Sequence, residues 1–426
     1  MSGQKIEMGE NVKVLAILPA IIPSTTILVV EPLMYLGDLG KIEFRLRLEN
    51  FDARLSDLEW ADLVIFCRNT EPASSILERL LVIGKPYIYE LDDNFFELPL
   101  DTPEGRYHRD INRITMLEKY IKHASLVRVY SSPLEDRVRQ YTQKVVTVKA
   151  PVNLGYIPHS HPSRDPQKVK ILFSTSRTAS DRLSQIFMKD LIRLLNECKE
   201  NVEVHFWGYM PYELRGRRSV KFHRFMSNYP KYMQAIYNMG YDIGLAPLKN
   251  DLFHNSKTNN KFREYGACWV AGVYSNAEIY TDCVENGRTG LLVSNEEDAW
   301  YKAIKKLIDD PGLRESIQAE ARAYVEKEYA LNAFASSLMD DINQLLMTVS
   351  NLPVSNQFPV SSVSAINDRS STGKTIMRLF KALLSRIQRA PKAIREYGLI
   401  LTIRLFLEQI ERYIRYLELN RKINRR

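Results

Sequence analysis

Short apolar runs alternate with segments of helical period along most of this chain, and that alternation limits the fold more than any other feature. "VKVLAIL" (12–18), "DLVIFC" (62–67), "PYIYEL" (86–91), "LVRVYS" (126–131) and "VVTVKAP" (145–151) are rich in Val, Ile and Tyr and read as strands. Between them, 72–84 and 109–125 repeat apolar residues every three or four positions, as helices do. Strands that are apolar almost throughout have no face left for water. They belong in a parallel sheet covered by helices on both sides. Around 153–168 the chain turns polar and proline-rich, and the pattern then restarts. Strands are expected at 169–175, 202–208, 220–225, 242–248, 269–275 and 290–294. Helices are expected at 181–198, 229–240 and 298–310, with a closing helical pair within 313–346.

At 426 residues the chain exceeds one ordinary core. The pattern divides it into two α/β units of doubly wound, Rossmann-like type, residues 1–165 and 166–350. A Ser-, Pro- and Asn-rich linker follows at 351–372, and then a basic helical tail at 373–426. That tail holds 14 Lys and Arg against 4 Asp and Glu, a charge of +10. The remaining residues, with 45 against 47, sum to −2, so the whole-chain +8 belongs to the tail. Ile376, Phe380, Leu383 and Ile387 line one face of a helix there, with Lys374, Arg378 and Arg389 around it. A basic amphipathic helix of this kind suits an anionic membrane surface; packing back onto its own domain or onto a partner is the other reading. Its few aromatics form no stacking platform, so no nucleic-acid partner is expected.

Several chemistries are unsupported. No G-x-G-x-x-G occurs, and "DRSSTGKT" (368–375) has Asp368 where a phosphate loop needs glycine. Cys67, Cys198, Cys268 and Cys283 lie far apart without metal spacing, which fits buried thiols in a reducing, cytoplasmic compartment. The "HSH" at 159–161 has no cysteine or carboxylate cluster beside it, so no metal site is expected. The uncharged run Val14–Val30 is interrupted by Pro19 and Pro23 and reads as a buried strand followed by a loop, not as a membrane span. The start of the chain lacks the apolar stretch of a signal peptide.

The positive signal is "FHNSKTNNKFREYGACWVAG" (253–272). Lys257, Lys261 and Glu264 stand at i, i+4 and i+7, which would put all three on one face of a helix. A helix beginning near Ser256 or Lys257 would offer free backbone N–H groups at Ser256 to Thr258 beside the lysines, a setting for an anion such as a diphosphate. Glu264, two turns in, would accept from the hydroxyls of a ribose. A solvated charged face is the bland alternative. In a doubly wound fold, ligands bind at the carboxyl ends of strands, where this segment lies.

"DIGLAPLKNDLFHNSKTNNKFREYGACWVAGVYSNAEIYTDCVENGRTGLLVS" closely resembles the donor half of family 4 (group 1) glycosyltransferases with the GT-B fold, of the kind found in bacterial envelope and O-antigen polysaccharide synthesis. The shared pattern is a "D-x-G-L-x-P-L" strand, a "K-S-x-x-K-x-x-E-Y" helix, a strand ending at Ser, then "G-x-T-G-L-L-V". Upstream, "ILFSTSRTASDRL" resembles the loop that opens the donor domain, and "PYIYELDDNFFELP" an acceptor-domain segment. The resemblance implies GT-B architecture, two Rossmann-like domains facing a cleft. It implies transfer of a sugar from a nucleotide-diphosphate sugar to a saccharide or lipid-linked glycan, with retention and without a metal or other cofactor. Lys257, Lys261, Arg177 and Arg182 would meet the diphosphate charge, helped by Ser256 and Thr258, and Glu264 would hold the ribose. Tyr280 and Asp282 would approach the diphosphate and sugar. Asp92 and Asp93 would orient the acceptor hydroxyl, with a helix-cap and turn cluster as the alternative. Many family members carry a glutamate eight positions before the ribose glutamate. Here that position is Ser256. A non-catalytic subunit and a sugar-nucleotide epimerase therefore stay open as alternatives.

Overall fold

Val14 to Leu18 are all fully buried in strand β1 (Val12–Leu18), so both faces of this strand are covered. The computed structural model describes residues 11–175, 183–198, 201–350 and 399–425. The linker 351–372 and the amphipathic segment 374–389 lie outside the described residues.

The first sheet contains β1, β2 (Ile42–Leu48), β3 (Leu63–Cys67), β4 (Tyr87–Glu90), β5 (Leu126–Val129) and β6 (Val145–Thr147). All are parallel, in the order β2-β1-β3-β4-β5-β6. The second sheet contains β7 (Val169–Ser174), β8 (Val202–Trp207), β9 (Val220–His223), β10 (Ile243–Ala246), β11 (Ala271–Ser275) and β12 (Leu291–Val293). It too is parallel, in the order β12-β11-β10-β7-β8-β9. The order reverses between β1 and β3 in one sheet and between β7 and β10 in the other. Connections leave in opposite directions at such a point and open a crevice at the carboxyl ends of the strands.

Two segments differ from expectation. β2 was not expected, because Glu43, Arg45 and Arg47 alternate with Ile42, Phe44 and Leu46 and break any apolar run. As the edge strand it buries one face and gives the other to charge, with Arg47 Nε donating to Asp57 at 2.9 Å. Residues after Leu18 form more than a loop: Thr26–Val30 is a π-helical turn leading into the helix Glu31–Asp38.

The two units are joined by more than the 153–168 segment. Helix Leu331–Ser350 returns from the second unit to the first, where its Asp341 pairs with the buried Arg128 of β5. Within the second unit, helix Asn260–Ala267 lies close against β10. A Cβ at Gly244 would come within 2.5 Å of the Tyr265 ring, so only glycine permits this approach. The Tyr265 hydroxyl then donates to the Leu245 carbonyl at 2.9 Å and fixes the helix to the strand.

The second tail helix, Leu399–Ile423, also packs on the body. Tyr416 is buried and its hydroxyl donates to Asp52, while the Tyr413 ring meets Phe51 edge-on at 4.7 Å. Arg415 reaches the other unit, donating to the Ser227 hydroxyl at 2.6 Å. For this helix the expected membrane-facing role gives way to packing: the face that carries Tyr416 is covered by protein. No described helix is long and apolar enough to cross a membrane.

Candidate active site

The carboxyl ends of β7 and β10 carry a cluster that includes two of the expected site residues. Lys261 and Glu264, three apart on Asn260–Ala267, project together, and Lys261 Nζ donates to Glu264 Oε2 at 2.7 Å. Tyr232, from helix Tyr229–Met239, brings its hydroxyl 3.3 Å from the same carboxylate oxygen and 3.3 Å from Lys261 Nζ. That hydroxyl also lies 2.9 Å from the Oγ of Ser174, the last residue of β7. Burial alone would weaken the Lys261 ammonium, but the Glu264 carboxylate outweighs it and holds the lysine pKa above its ordinary value. Burial raises the Tyr232 phenol well above its usual range, and Glu264 adds to the shift. The cluster thus holds a cation and an anion, both hydrogen-bonded, at the topological switch point.

Lys257 is not on that helix. The expected single helix is broken: Leu252–Asn255 forms one turn capped by Asp251, and the next helix starts only at Asn260. The intervening polar residues favour local side-chain bonds over helix, and Asn259 spends its side chain on Tyr329 at 2.7 Å and on Arg263 at 3.0 Å. Lys257, Lys261 and Glu264 therefore do not share one helix face. The N–H groups of Ser256 and Lys257 are occupied as well, donating to Leu252 at 3.1 Å and to His254 at 3.3 Å. Thr258 lies in the turn between the helices. Ser256 is fully buried; its hydroxyl donates to the Leu252 carbonyl at 2.6 Å and accepts from Asn94 Nδ2 at 3.1 Å. Its side chain is thus turned to the first unit, away from the role of donor contact expected of it.

Across the cleft, Arg68 follows β3, while Asp92 and Asp93 follow β4. Arg68 Nη1 is 2.5 Å from Asp92 and 3.1 Å from Asp93, and its guanidinium lies 4.7 Å over the Phe95 ring. Its backbone is left-handed, φ 63°, a conformation that costs energy in a non-glycine residue and that collects at functional sites. His108 stacks on the other partner of this group, with ring centroids 4.4 Å from Phe95. Burial, reinforced by Arg68, lowers its pKa to about 3, so it is neutral near pH 7. Lys257 Nζ closes the arrangement by donating to Asp93 Oδ1 at 2.9 Å.

Not every expected residue joins these clusters. Tyr280 is buried, with its ring 4.8 Å from Tyr274, and Asp282 is exposed at the end of the short helix Glu278–Thr281. Arg177 and Arg182 lie outside the described residues. Sequence reasoning missed Ser174, Tyr232, Arg68, Asn94 and His108. The one local signal for Arg68 was a lone charge directly after a fully apolar strand.

Residues 169–310 match the family model described as "Glycosyl transferases group 1". Among the curated proteins, none matches the chain in sequence. Solved structures do resemble it. Alr3699/HepE from Anabaena, in complex with UDP and glucose, is 14% identical over 78% of this chain and 100% of its own, with a TM-score of 0.55. Sucrose-phosphate synthase from Thermosynechococcus elongatus is 12% identical over 79% and 100%, at 0.59. A glycosyltransferase from Rickettsia africae is 16% identical over 79% and 99%, at 0.57. Identities this low carry the architecture alone. The two sheets are those of a GT-B fold, and the second of them matches the group 1 glycosyltransferases.

Proposed function

We propose that this protein transfers a sugar from a nucleotide-diphosphate sugar to a saccharide or lipid-linked acceptor in the cleft between its sheets. The observation that carries the reading is the Lys261–Glu264–Tyr232–Ser174 cluster at the β7/β10 switch point, within the segment that matches the group 1 family. Departure of the sugar leaves charge on the diphosphate, and fixed cations lower the barrier by meeting it. Lys257 and Lys261 would supply that charge here, with Arg177 and Arg182 joining from the loop after β7. Glu264 would exchange its bond from Lys261 for bonds from the ribose hydroxyls. Asp92 and Asp93 would orient the acceptor hydroxyl from the opposite wall.

Retention of configuration, independence from metals and a role in envelope polysaccharide synthesis all rest on the family resemblance. A cytoplasmic site of action rests on the widely spaced cysteines, which fit a reducing compartment. UDP is the first nucleotide to test, because Alr3699/HepE is seen with it. The basic segment 373–398 would place the enzyme on anionic lipid at the inner face of the membrane. If truncation at Asn351 left binding to phosphatidylglycerol vesicles unchanged, that part would fall.

The direct test is turnover by the full chain with a panel of nucleotide-diphosphate sugars, followed as released nucleotide diphosphate with and without saccharide and polyprenyl-linked acceptors. Acceptor-dependent release is expected. A changed sugar nucleotide formed from donor alone would identify an epimerase. Binding without any turnover would identify a non-catalytic subunit.

A further inference from the structure

The near-neutral body hides one strongly basic stretch. Residues 212–224 cover the end of the β8–β9 connection, β9 itself and the residue after it. They hold Arg215, Arg217, Arg218, Lys221 and Arg224 against the single acid Glu213, five cations less one carboxylate, or +4. The whole body, 1–372, sums to −2. Arg215, Arg218, Lys221 and Arg224 are exposed, whereas Arg217 turns aside to donate to Asn196 Oδ1 at 2.8 Å. Two rings stand among these cations. The fully buried Leu214 anchors a 3₁₀ turn, Tyr212–Leu214, that leaves Tyr212 77% exposed with the Arg215 guanidinium 5.3 Å from its ring centre. Phe222, on β9, is 48% exposed.

Protection of a sheet edge does not explain this charge. Edge strands carry charge to block pairing with other chains, and β9 is an edge. The edge strand β2 shows how this protein does so at its first sheet. There Arg45 and Arg47 both meet Asp57, and the tail helix covers the strand, its Tyr416 hydroxyl 3.3 Å from the Leu46 carbonyl. The elements beside β9 commit their acids elsewhere. Glu203 of β8 meets Lys168 and His205. Glu197 of helix Met188–Cys198 meets Arg193 and the Tyr301 hydroxyl, and Asp190 accepts from the Tyr301 N–H. Among the described residues, these elements leave the charge at 215–224 unanswered, and its field reaches into solvent.

From this charge and exposure we infer that the β9 edge of the second unit docks on an anionic phospholipid surface. Tyr212 and Phe222 enter the headgroup boundary while Arg215, Arg218, Lys221 and Arg224 meet lipid phosphates. A bilayer interface takes cations and rings together. A soluble polyanion would meet the cations but leave Phe222, a ring without a polar atom, in water. The tail helix approaches the same edge, for Arg415 donates to Ser227, three residues beyond Arg224. Docking here suits a lipid-linked acceptor, yet the inference rests neither on the donor site nor on segment 373–398.

Flotation of the full chain with vesicles tests it, using phosphatidylcholine alone and phosphatidylcholine mixed with phosphatidylglycerol. Wild type is expected to bind the mixed vesicles and not the neutral ones. One basic side chain near an anionic surface changes partitioning about fivefold, so Arg215→Gln, Arg218→Gln, Lys221→Gln and Arg224→Gln combined should weaken binding about a hundredfold. Tyr212→Ser should weaken it about threefold. Undiminished binding by the combined variant would overturn the inference. So would loss of binding to soluble polyglutamate in the combined variant together with undiminished vesicle binding by Tyr212→Ser; the edge would then serve a polyanionic chain. A measurement on wild type guards against a variant that fails to fold: amide exchange across residues 210–224 is expected to slow on the mixed vesicles. Unchanged exchange there in bound protein would place the contact elsewhere and contradict the inference. None of these results bears on nucleotide binding, so this inference and the donor site stand or fall separately.

Discussion

The two walls of the cleft solve the same problem, holding charge out of water, in different ways. On the donor wall one cation meets one anion on a single helix, Lys261 with Glu264, and a tyrosine hydroxyl sits between them. All three of these side chains come from the second unit. On the opposite wall Arg68 stands between two aspartates, and Lys257 of the other unit reaches one of them. A self-contained pair can exist whether the cleft is open or closed. A pair completed from outside reports whether the two walls are together. The difference teaches that one wall keeps its ion pair whatever the other unit does, whereas the other wall has a contact that exists only while the two units are together.

Breaking the self-contained pair should have the largest effect. Lys261→Ala strands a buried carboxylate and is expected to cost about 3–5 kcal/mol of stability, measured by chemical denaturation, together with loss of nucleotide binding. A Lys261→Met, Glu264→Gln double variant should recover most of that stability and none of the binding. Recovery of both would reduce the pair to a structural device. Phe253→Ala empties a position in the first unit's core and should cost about 3–5 kcal/mol as well. Nucleotide affinity in that variant should also fall, because the Lys257 ammonium lies 4.1 Å over the Phe253 ring.

Lys257→Ala should behave differently from both. Its partner is partly exposed, so stability should fall by no more than about 1 kcal/mol, while transfer should drop about a hundredfold, the loss typical of one preorganised charge. A large fall in stability with little change in turnover would reverse the assignment of the two lysines. Smaller still is the effect of pH on the acceptor wall. His108 has a folded pKa of about 3, below its ordinary value, so between pH 6.5 and 3 the unfolded chain takes up a proton that the folded one does not. Stability is therefore lost as pH falls below 6.5. His108→Gln should remove roughly 1–2 kcal/mol of the loss between pH 7 and pH 5. Glu31 and Glu90, pushed up to about 7 by burial, act in the opposite sense: their contribution is lost as pH rises from the usual carboxylate range through 7. The wild-type profile sums these with other shifted groups, among them His205, which burial lowers to about 4, so the variant is needed to isolate His108.

The same contrast governs what the sequence reveals. The donor wall is drawn largely from the second unit, and its Lys261 and Glu264 were readable from their spacing on one short helix. The strands other than the edge strand β2 were readable too, because strands buried in the middle of a parallel sheet are largely apolar. The break before Asn260 was not readable as a break, since Asn259 leaves the helix for a tertiary bond to Tyr329. The acceptor wall is assembled from Arg68 after β3, the adjacent Asp92 and Asp93 after β4, and His108 on the short helix Pro103–His108. No local period links them, and Arg68 becomes informative only once its left-handed backbone and two carboxylate partners are seen. The tail illustrates the same limit. Its basic amphipathic pattern suits lipid and protein alike, and for Leu399–Ile423 it is Tyr416 meeting Asp52 and Arg415 meeting Ser227 that decide for protein.

The central claim is that the β7/β10 switch point holds a nucleotide diphosphate. Thermal unfolding of the full chain across UDP, GDP, ADP, TDP and CDP, in wild type and Glu264→Gln, tests it most directly. A ligand that binds only the folded state adds about 2.7 kcal/mol at a hundred times its Kd. One nucleotide is expected to raise the wild-type Tm, with a smaller rise in Glu264→Gln. The absence of any shift with all five, or a shift equally large in Glu264→Gln, would contradict the claim.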